Sequence, residues 1–89
     1  MLSLSSIIPA KNEEKNIIRC IESQIGVVDE IIVLIDSSTT DKTEELVDQY
    51  PEVKKLIIEW QGFAQTKKIG VDSAKNDWIF WIDADEAIT

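Results

Sequence analysis

Two uninterrupted apolar runs, each of five residues and each followed directly by an aspartate, constrain the fold more than any other feature of this sequence. The first, from Ile31 to Ile35, precedes Asp36, and the second, from Trp78 to Ile82, precedes Asp83. A strand that is apolar at every position must be covered on both faces, which is typical of a parallel sheet flanked by helices. The runs therefore predict buried strands, the second of them an interior strand, that deliver carboxylates to one edge of the sheet.

Strand-like and helix-like patterns alternate along the rest of the chain. Strands are predicted, in chain order, over 4–8 (ended by Pro9), 30–35, 53–59 and 78–82. The predicted helices begin at the cap residues Asn12 and Asp41 and after Gly62, and they end before Gly26, before Pro51 and at Ala74. This order predicts an α/β fold in one domain, residues 1–89. Its layers are expected to be Rossmann-like, three in number, around a mainly parallel sheet with the strand order 3-2-1-4.

The carboxyl ends of parallel strands meet at one edge of such a sheet, and ligands bind there. Pro9, Ala10, Asp36, Asp83 and Asp85 are predicted to lie at that edge. Two acids separated by one residue can place oxygen ligands on a single Mg²⁺ or Mn²⁺ ion. The residues alone are equally consistent with an acidic turn that caps a following helix, so both interpretations stay open at this point.

Charge and composition exclude several classes of function. Nine basic against seventeen acidic residues give a formal net charge of −8, which argues against nucleic acid as a partner and requires a cation to accompany any anionic ligand. Cys20 is the only cysteine and histidine is absent, so an internal disulfide is excluded and any metal must be bound by oxygen. The amino-terminal segment lacks the pattern of a secretory signal, and the apolar runs are far shorter than the roughly 20 residues of a membrane span. A cytoplasmic location is therefore expected.

Three segments together carry a family resemblance. IIPAKNEE, DEIIVLIDSSTTDKT and WQGFAQTKKIGVDSAKNDWIFWIDADE resemble, in order and spacing, the nucleotide-binding half of the inverting, GT-A-fold family-2 glycosyltransferases. The resemblance spans almost the whole chain. It implies a GT-A half-domain that binds a nucleotide-sugar donor, a UDP-sugar, with Mg²⁺ or Mn²⁺ bridging the diphosphate. The tract WQGF followed by Lys67 further resembles the subgroup that builds bacterial lipopolysaccharide core, in which glucosyl transfer is common.

The resemblance also implies roles for individual residues. Asp36 matches the acidic residue that hydrogen-bonds the base, and the loop after it carries Ser38 where relatives usually have glycine. Asp83 is expected to approach the ribose and the metal, and Asp85 to be the principal metal ligand. The other positions that the resemblance assigns to the nucleotide are Pro9, Ala10 and Glu13 at the nucleoside and Lys67 at a phosphate.

Members of the family are considerably longer than this chain, with the acceptor site and the general base beyond the paired aspartates. The resemblance therefore implies that residues 1–89 bind the donor, hold no catalytic base and are inactive alone. The full-length enzyme is expected to transfer the sugar to a carbohydrate or lipid-linked acceptor at the inner face of the membrane. The fourth strand would leave a free sheet edge, through which a homodimer is expected to form.

Other roles compete with this interpretation. Cys20, Trp60, Trp78 and Trp81 are predicted to pack in the core rather than to bind a ligand. Mg²⁺-dependent phosphatases of the haloacid-dehalogenase type and receiver-type signalling domains also gather acids at strand ends. Their acids follow the first strand, however, where this chain has Pro9. A non-enzymatic module that binds a nucleotide or a protein partner is the third alternative.

Overall fold

The computed structural model of the chain describes residues 3–88 and confirms the predicted alternation of strands and helices. The elements in chain order are β1 (Leu4–Ala10), α1 (Ile17–Glu22), β2 (Glu30–Asp36), α2 (Thr43–Val47), β3 (Val53–Ile58), α3 (Phe63–Ser73) and β4 (Trp78–Trp81). All neighbouring strands are parallel, and their order in the sheet is β3-β2-β1-β4, as predicted. Within residues 3–88, no helix is long and apolar enough to cross a lipid bilayer.

Helices cover both faces of the sheet, so the predicted three-layer arrangement is confirmed. Successive residues of a strand point to opposite faces, and the apolar run of β2 therefore supplies two cores. Val33 shares a buried cluster with Ile17 of α1 on one face. Leu34, the next residue, belongs to the cluster on the other face, against which Ile69 of α3 packs.

Helix α3 approaches the sheet closely at Gly70. A β-carbon at this position would lie 2.8 Å from Ile7 Cγ2 and 3.3 Å from Leu34 Cδ1. Because carbon atoms do not pack at 2.8 Å, a larger residue here would push α3 away from β1 and β2. Gly70 therefore sets the distance between α3 and the sheet.

Strand β1 continues through Pro9 to Ala10, past the predicted end at Ile8. Main-chain groups of alternate residues face the same neighbouring strand, and the Ile7 C=O accepts a hydrogen bond from the Ile82 N–H on the β4 side. The nitrogen of Pro9 faces that side too, but the pairing of β1 with β4 ends at Ile7. The missing N–H of proline thus removes no bond from the ladder, and β1 reaches the edge where the predicted site lies.

The apolar pattern of the fourth strand favours an interior position, whereas the predicted strand order 3-2-1-4 places this strand at an edge, and the structure confirms the strand order. β4 pairs with β1 and forms one edge of the sheet. Trp78 is 56% exposed, and the other residues of the strand are half-buried. The apolar side chains of a strand indicate that its two faces are covered. They do not indicate whether another strand lies beside it, because neighbouring strands pair through main-chain groups.

Helix α1 is shorter than predicted and begins at Ile17 rather than after Asn12. Asn12 adopts a φ of 53°, in the left-handed region that asparagine tolerates better than most residues. Its side chain accepts a hydrogen bond from the Thr40 N–H, in the loop after β2. The predicted helix cap at Asn12 is therefore wrong, because the side chain bonds to a distant loop instead.

Candidate functional site

A cavity of about 700 Å³ opens at the carboxyl ends of β1, β2 and β3. Four of the residues predicted to bind a nucleotide line it: Pro9, Ala10, Glu13 and Asp36. Strand ends, the loops after them and α3 contribute further lining residues, among them Lys11, Leu34, Ser38, Ile58, Trp60 and Thr66. A cavity of this size, lined by charged and polar side chains as well as by apolar ones, can hold a small polar molecule.

Asp36 is oriented by the loop that follows β2. Its Oδ1 accepts hydrogen bonds from the Ser38 hydroxyl at 2.7 Å and from the Ser38 N–H at 2.8 Å. These bonds, helped by the nearby Lys11 ammonium, hold the pKa of Asp36 below its ordinary value, so the carboxylate is ionised at neutral pH. No residue within 3–88 donates a hydrogen bond to Oδ2, which is therefore the oxygen available to a ligand. Ser38 thus supplies a side-chain donor that a glycine would lack.

Hydrogen bonds join the loop after β1 to the loop after β2, and we call this set the loop brace. Asn12 Oδ1 accepts from the main-chain N–H groups of Thr40 at 2.8 Å and Asp41 at 3.2 Å. In the other direction, the Glu13 N–H donates to Thr43 Oγ1 at 2.8 Å. These hydrogen bonds hold together the two loops that line the cavity.

Asp41 contributes to the loop brace and to the start of α2. The structure places Lys42, rather than the predicted Asp41, directly before this helix. Asp41 Oδ1 nevertheless accepts from the N–H of Thr43, the first helical residue, at 2.9 Å, and Oδ2 accepts from the Glu14 N–H at 3.1 Å. Desolvation acts to raise the pKa of Asp41, but the hydrogen bonds from Thr43 and Glu14 outweigh it and lower the pKa.

The tryptophans depart from the predicted core. Trp60 borders the cavity and is 51% exposed, and Trp78 is exposed as well, so the prediction that both pack in the core is wrong. Trp81 is half-buried against the core on the α3 face, its ring centroid 5.3 Å from that of Phe63. Cys20 is fully buried, as predicted, and desolvation raises the pKa of its thiol to about 11. Of the four residues assigned to the core, Trp60 is the one placed at the cavity.

The residues after β4 form an acidic turn, which we define as Asp83 to Glu86. The Glu86 N–H donates to the Asp83 C=O at 2.9 Å, and the Asp83 N–H donates to Glu86 Oε1 at 3.1 Å. Carboxylate oxygens of Asp83, Asp85 and Glu86 lie within 4.8 Å of one another, and all three residues are exposed. Sequence reasoning finds the two aspartates but misses Glu86, although an acid three positions after Asp83 in a turn is the signal that identifies it.

The acidic turn fits a divalent cation of the Mg²⁺ or Mn²⁺ type. These ions prefer carboxylate oxygens, and three carboxylates this close together can converge on one ion with water completing the shell. The turn is anchored to α1, where Arg19 Nη2 donates to the Asp85 C=O at 3.1 Å and the Cys20 thiol to the Asp83 C=O at 3.7 Å. The alternative role, capping of a helix that follows the turn, stays a prediction.

The structure brings the predicted residues to one edge of the sheet but not into one cavity. Asp83 and Asp85 follow β4, on the other side of β1 from Asp36, and among the described residues they are not part of the cavity lining. Lys67 is exposed on α3 and also lies outside that lining. Lys11 lines the cavity instead, and its position directly after the last residue of β1 is the signal that sequence reasoning missed.

Comparison with protein-family models matches residues 5–89 to the family described as Glycosyl transferase family 2. The chain belongs to glycosyltransferase family 2. An uncharacterised glycosyltransferase of Rickettsia felis is 38% identical over 100% of the family-2 chain, and the lipopolysaccharide core biosynthesis glycosyltransferase LpsC of Rhizobium meliloti is 35% identical over 98% of it. The chain spans 31% and 33% of the lengths of these two relatives, about a third of each. The resemblance found in the sequence, to the family and to enzymes of lipopolysaccharide core, is confirmed.

Solved structures share the fold of the family-2 chain. Crystalline S. aureus TarS 1–349 in complex with UDP-GlcNAc superimposes with a TM-score of 0.79 at 20% identity, over 99% of this chain and 28% of TarS. Glucosyl-3-phosphoglycerate synthase from Mycobacterium tuberculosis, in complex with Mn²⁺, UDP and phosphoglyceric acid, gives 0.80 at 23% identity, over 97% and 35%. Likeness at these identities establishes the fold, and the predicted GT-A arrangement is confirmed.

Proposed function

We propose that this chain is the donor-binding portion of an inverting glycosyltransferase and that its cavity holds the nucleotide of a UDP-sugar. One observation carries the proposal: the cavity at the carboxyl edge contains an ionised carboxylate, Asp36, with one oxygen bonded to Ser38 and the other free. Membership of family 2 supports a nucleotide-sugar donor, as do the complexes of TarS with UDP and UDP-GlcNAc. Family membership also favours glycosyl transfer over the phosphoryl-transfer alternatives.

Asp36 provides a physical basis for the selection of uracil. The N3–H of uracil is a donor, whereas N3 of cytosine is an acceptor that a carboxylate oxygen would repel. Oδ2 can accept from the N3–H while Oδ1 stays bonded to Ser38. A hydrogen bond to a charged group contributes about 1.5–3 kcal/mol. In this proposal Pro9, Ala10 and Glu13 complete the nucleoside side of the site.

The acidic turn and Lys11 would meet the charged part of the donor. Asp85 would be the principal ligand of Mg²⁺ or Mn²⁺, and Asp83 and Glu86 would be further ligands. Asp83 would also approach the ribose. When bound, the cation neutralises the diphosphate and stabilises it as a leaving group. The net charge of −8 opposes a diphosphate that arrives without a cation, and Lys11 places one positive charge at the cavity. Contact of Lys67 with a phosphate stays a prediction.

The rest of the reaction is assigned to a longer protein. An inverting transfer needs a general base to deprotonate the attacking hydroxyl, and we place that base and the acceptor site outside residues 1–89. The chain alone is then expected to bind the donor without turnover. The same proposal includes transfer of a glucosyl group to a carbohydrate or lipid-linked acceptor. It also includes a cytoplasmic location of the full-length enzyme at the membrane face and pairing of two copies through the β4 edge.

Calorimetric titration of the chain with UDP in the presence of Mn²⁺ tests this function. Wild type should bind UDP and prefer it to CDP. Asp36→Asn should weaken UDP binding about ten-fold or more, because the amide keeps its oxygen for Ser38 and turns its NH₂ group toward the N3–H of uracil. The preference for UDP over CDP should narrow or reverse in the same variant. Asp77→Asn, an exposed acid in the loop before β4, is the matched control.

Two results would refute the donor site. One is a wild-type chain that does not bind UDP with Mn²⁺ at any concentration tested. The other is stabilisation by beryllofluoride with Mg²⁺ and not by UDP, which would indicate a phosphoryl-transfer site instead. Unchanged UDP affinity in Asp36→Asn would show that this carboxylate does not hydrogen-bond the base.

A further inference from the structure

Trp60 is exposed beside the cavity, so packing of the core does not explain why a large aromatic residue stands there. The residue keeps 51% of its surface accessible, although burial of an aromatic ring is one of the larger contributions to a core. Ile58 and Leu34, which line the same cavity, do contribute to the core on the α3 face. An aromatic side chain that borders a cavity with half its surface accessible is available for contact with a ligand.

Main-chain pairing fixes the loop of Trp60 relative to Asp36. Asp36 is the register partner of Ile58, and the Ile58 C=O accepts a hydrogen bond from the Ser37 N–H at 2.7 Å. Trp60 follows Ile58 by two positions, so the start of its loop is tied to the loop that orients Asp36. At the other end, Gly62 adopts a φ of 98°, which favours glycine, and directly precedes α3. The indole and the free carboxylate oxygen are therefore carried by two loops that are hydrogen-bonded to each other where they leave the sheet.

A planar heterocycle with an N–H on its edge suits this pair of side chains. We propose that Trp60 stacks on the nucleobase of the donor while Asp36 accepts a hydrogen bond from the edge of the same base. The inference rests on the proposed function. Every base has a π-face, so stacking contributes affinity without selecting the base, whereas the carboxylate selects it. Affinity and selectivity are then carried by different residues.

Titrations with UDP and with pyrophosphate, both in Mn²⁺, separate base contact from phosphate contact. Trp60→Ala should weaken UDP binding about ten-fold, and Trp60→Phe should weaken it less because a smaller ring remains. Pyrophosphate has no base and should bind wild type and both variants equally. The ratio of UDP to CDP affinity should stay at its wild-type value in both, unlike in Asp36→Asn. Trp78→Ala is the matched control, since Trp78 is 56% exposed but begins β4, at the opposite edge of the sheet.

Intrinsic fluorescence gives a readout that does not require the alanine variant to fold. A base stacked on Trp60 should quench indole emission when UDP is added. Trp60→Phe should abolish this quenching, and Trp78→Phe should retain it. Retention of the full quenching signal in Trp60→Phe would contradict the stacking.

The outcomes distinguish this inference from the function beneath it. UDP bound equally well by wild type and Trp60→Ala would refute stacking and leave the donor site intact. Equal losses of UDP and pyrophosphate affinity in Trp60→Ala would assign Trp60 to the phosphate side or to the shape of the site, and would refute stacking as well. A wild-type chain that binds pyrophosphate with Mn²⁺ but gains nothing from the uridine would refute the function itself.

Discussion

The two faces of the sheet are covered by helices of very different length, and the shorter helices cover more. Helices α1 and α2 have six and five residues, whereas α3 has eleven. Among the described residues, eleven form the buried cluster on the α1/α2 face, the deep face, and three form the cluster on the α3 face, the shallow face. Helix α1 buries Ile17, Cys20 and Ile21, but α3 buries Thr66 and Gly70. The depth of a core follows the apolar side chains that a helix presents, not its number of turns.

The two parts of the candidate site rest on different faces of the sheet. Ile82, directly before the acidic turn, and Ala84, within it, both belong to the deep cluster. The loop brace links the segment that leads into α1 with the segment that leads into α2. The acidic turn therefore rests on the deep face. The cavity lies over the shallow face, because Leu34 and Ile58 line it and Asp36, two positions after Leu34, points to the same side of β2.

The largest expected effect is the difference between two equivalent truncations, one on each face. Ile21→Ala removes a fully buried side chain of α1 and should lower the free energy of unfolding by about 2–5 kcal/mol. Ile69→Ala on α3 removes a half-buried one and should cost about 1 kcal/mol. Urea denaturation of the two variants measures both values. Equal losses would mean that the shallow face is packed as well as the deep one.

Gly70→Ala tests how closely the shallow face is fitted. The added methyl group would lie 2.8 Å and 2.9 Å from two atoms of Ile7, and overpacking of this kind costs about 1–3 kcal/mol. Alanine favours helix by about 1 kcal/mol over glycine, which offsets part of the loss. We expect a net decrease in stability that Ile7→Val, which lacks the Cδ1 atom, partly reverses. Gln65→Ala, at an exposed site on α3, is the control. A net increase in stability from Gly70→Ala would show that α3 can move away from the sheet at little cost.

Two substitutions at Asn12 separate the side-chain and main-chain contributions to the loop brace. Asn12→Gly loses the accepting oxygen but keeps a residue that adopts positive φ readily, and should cost about 1 kcal/mol. Asn12→Ala loses the oxygen and adds backbone strain, so it should cost about 1 kcal/mol more. Denaturation midpoints give the difference. Identical midpoints would show that the φ of 53° carries no strain.

The smallest expected effect lies on the acid side of the stability profile. The pKa of Asp36 in the fold is below the ordinary 3.8, so its contribution to stability is present above that pH and is lost as pH falls through the lower, folded value. Ser38→Ala removes the hydroxyl that contributes most to this shift and should raise the pKa of Asp36. Carboxyl titration by NMR follows the pKa directly, and denaturation from about pH 5 to pH 2 should show a shallower loss in the variant. An unchanged pKa of Asp36 would exclude the Ser38 hydroxyl as the cause of the shift.

The sequence predicts the features of this molecule that depend on local patterns. Alternating strands and helices joined by right-handed crossovers leave few possible topologies, so the strand order follows from the pattern. That order in turn places Pro9, Asp36 and Asp83 at one edge, as the structure confirms. Apolar content alone, however, does not distinguish the edge strand β4 from an interior one.

The missed features depend on partners that are distant in the sequence. Asn12 followed by two acids has the pattern of a helix cap, yet its bond is to Thr40, 28 positions away. Trp60 has the composition of a core residue, and a tertiary cavity decides its exposure. Gly70 gives no local signal, because its importance comes from the side chain of Ile7 across the interface.

The reactivity of Cys20 reports how firmly the acidic turn is packed against α1. Its sulphur is sealed beneath the turn, 3.7 Å from the Asp83 carbonyl oxygen, and the chain has no second thiol. A thiol reagent can reach this atom when the turn lifts from α1 or the domain unfolds. The rate at which the reagent modifies Cys20 under native conditions therefore measures how often the turn separates from α1. A cation that binds the three carboxylates should lower this rate.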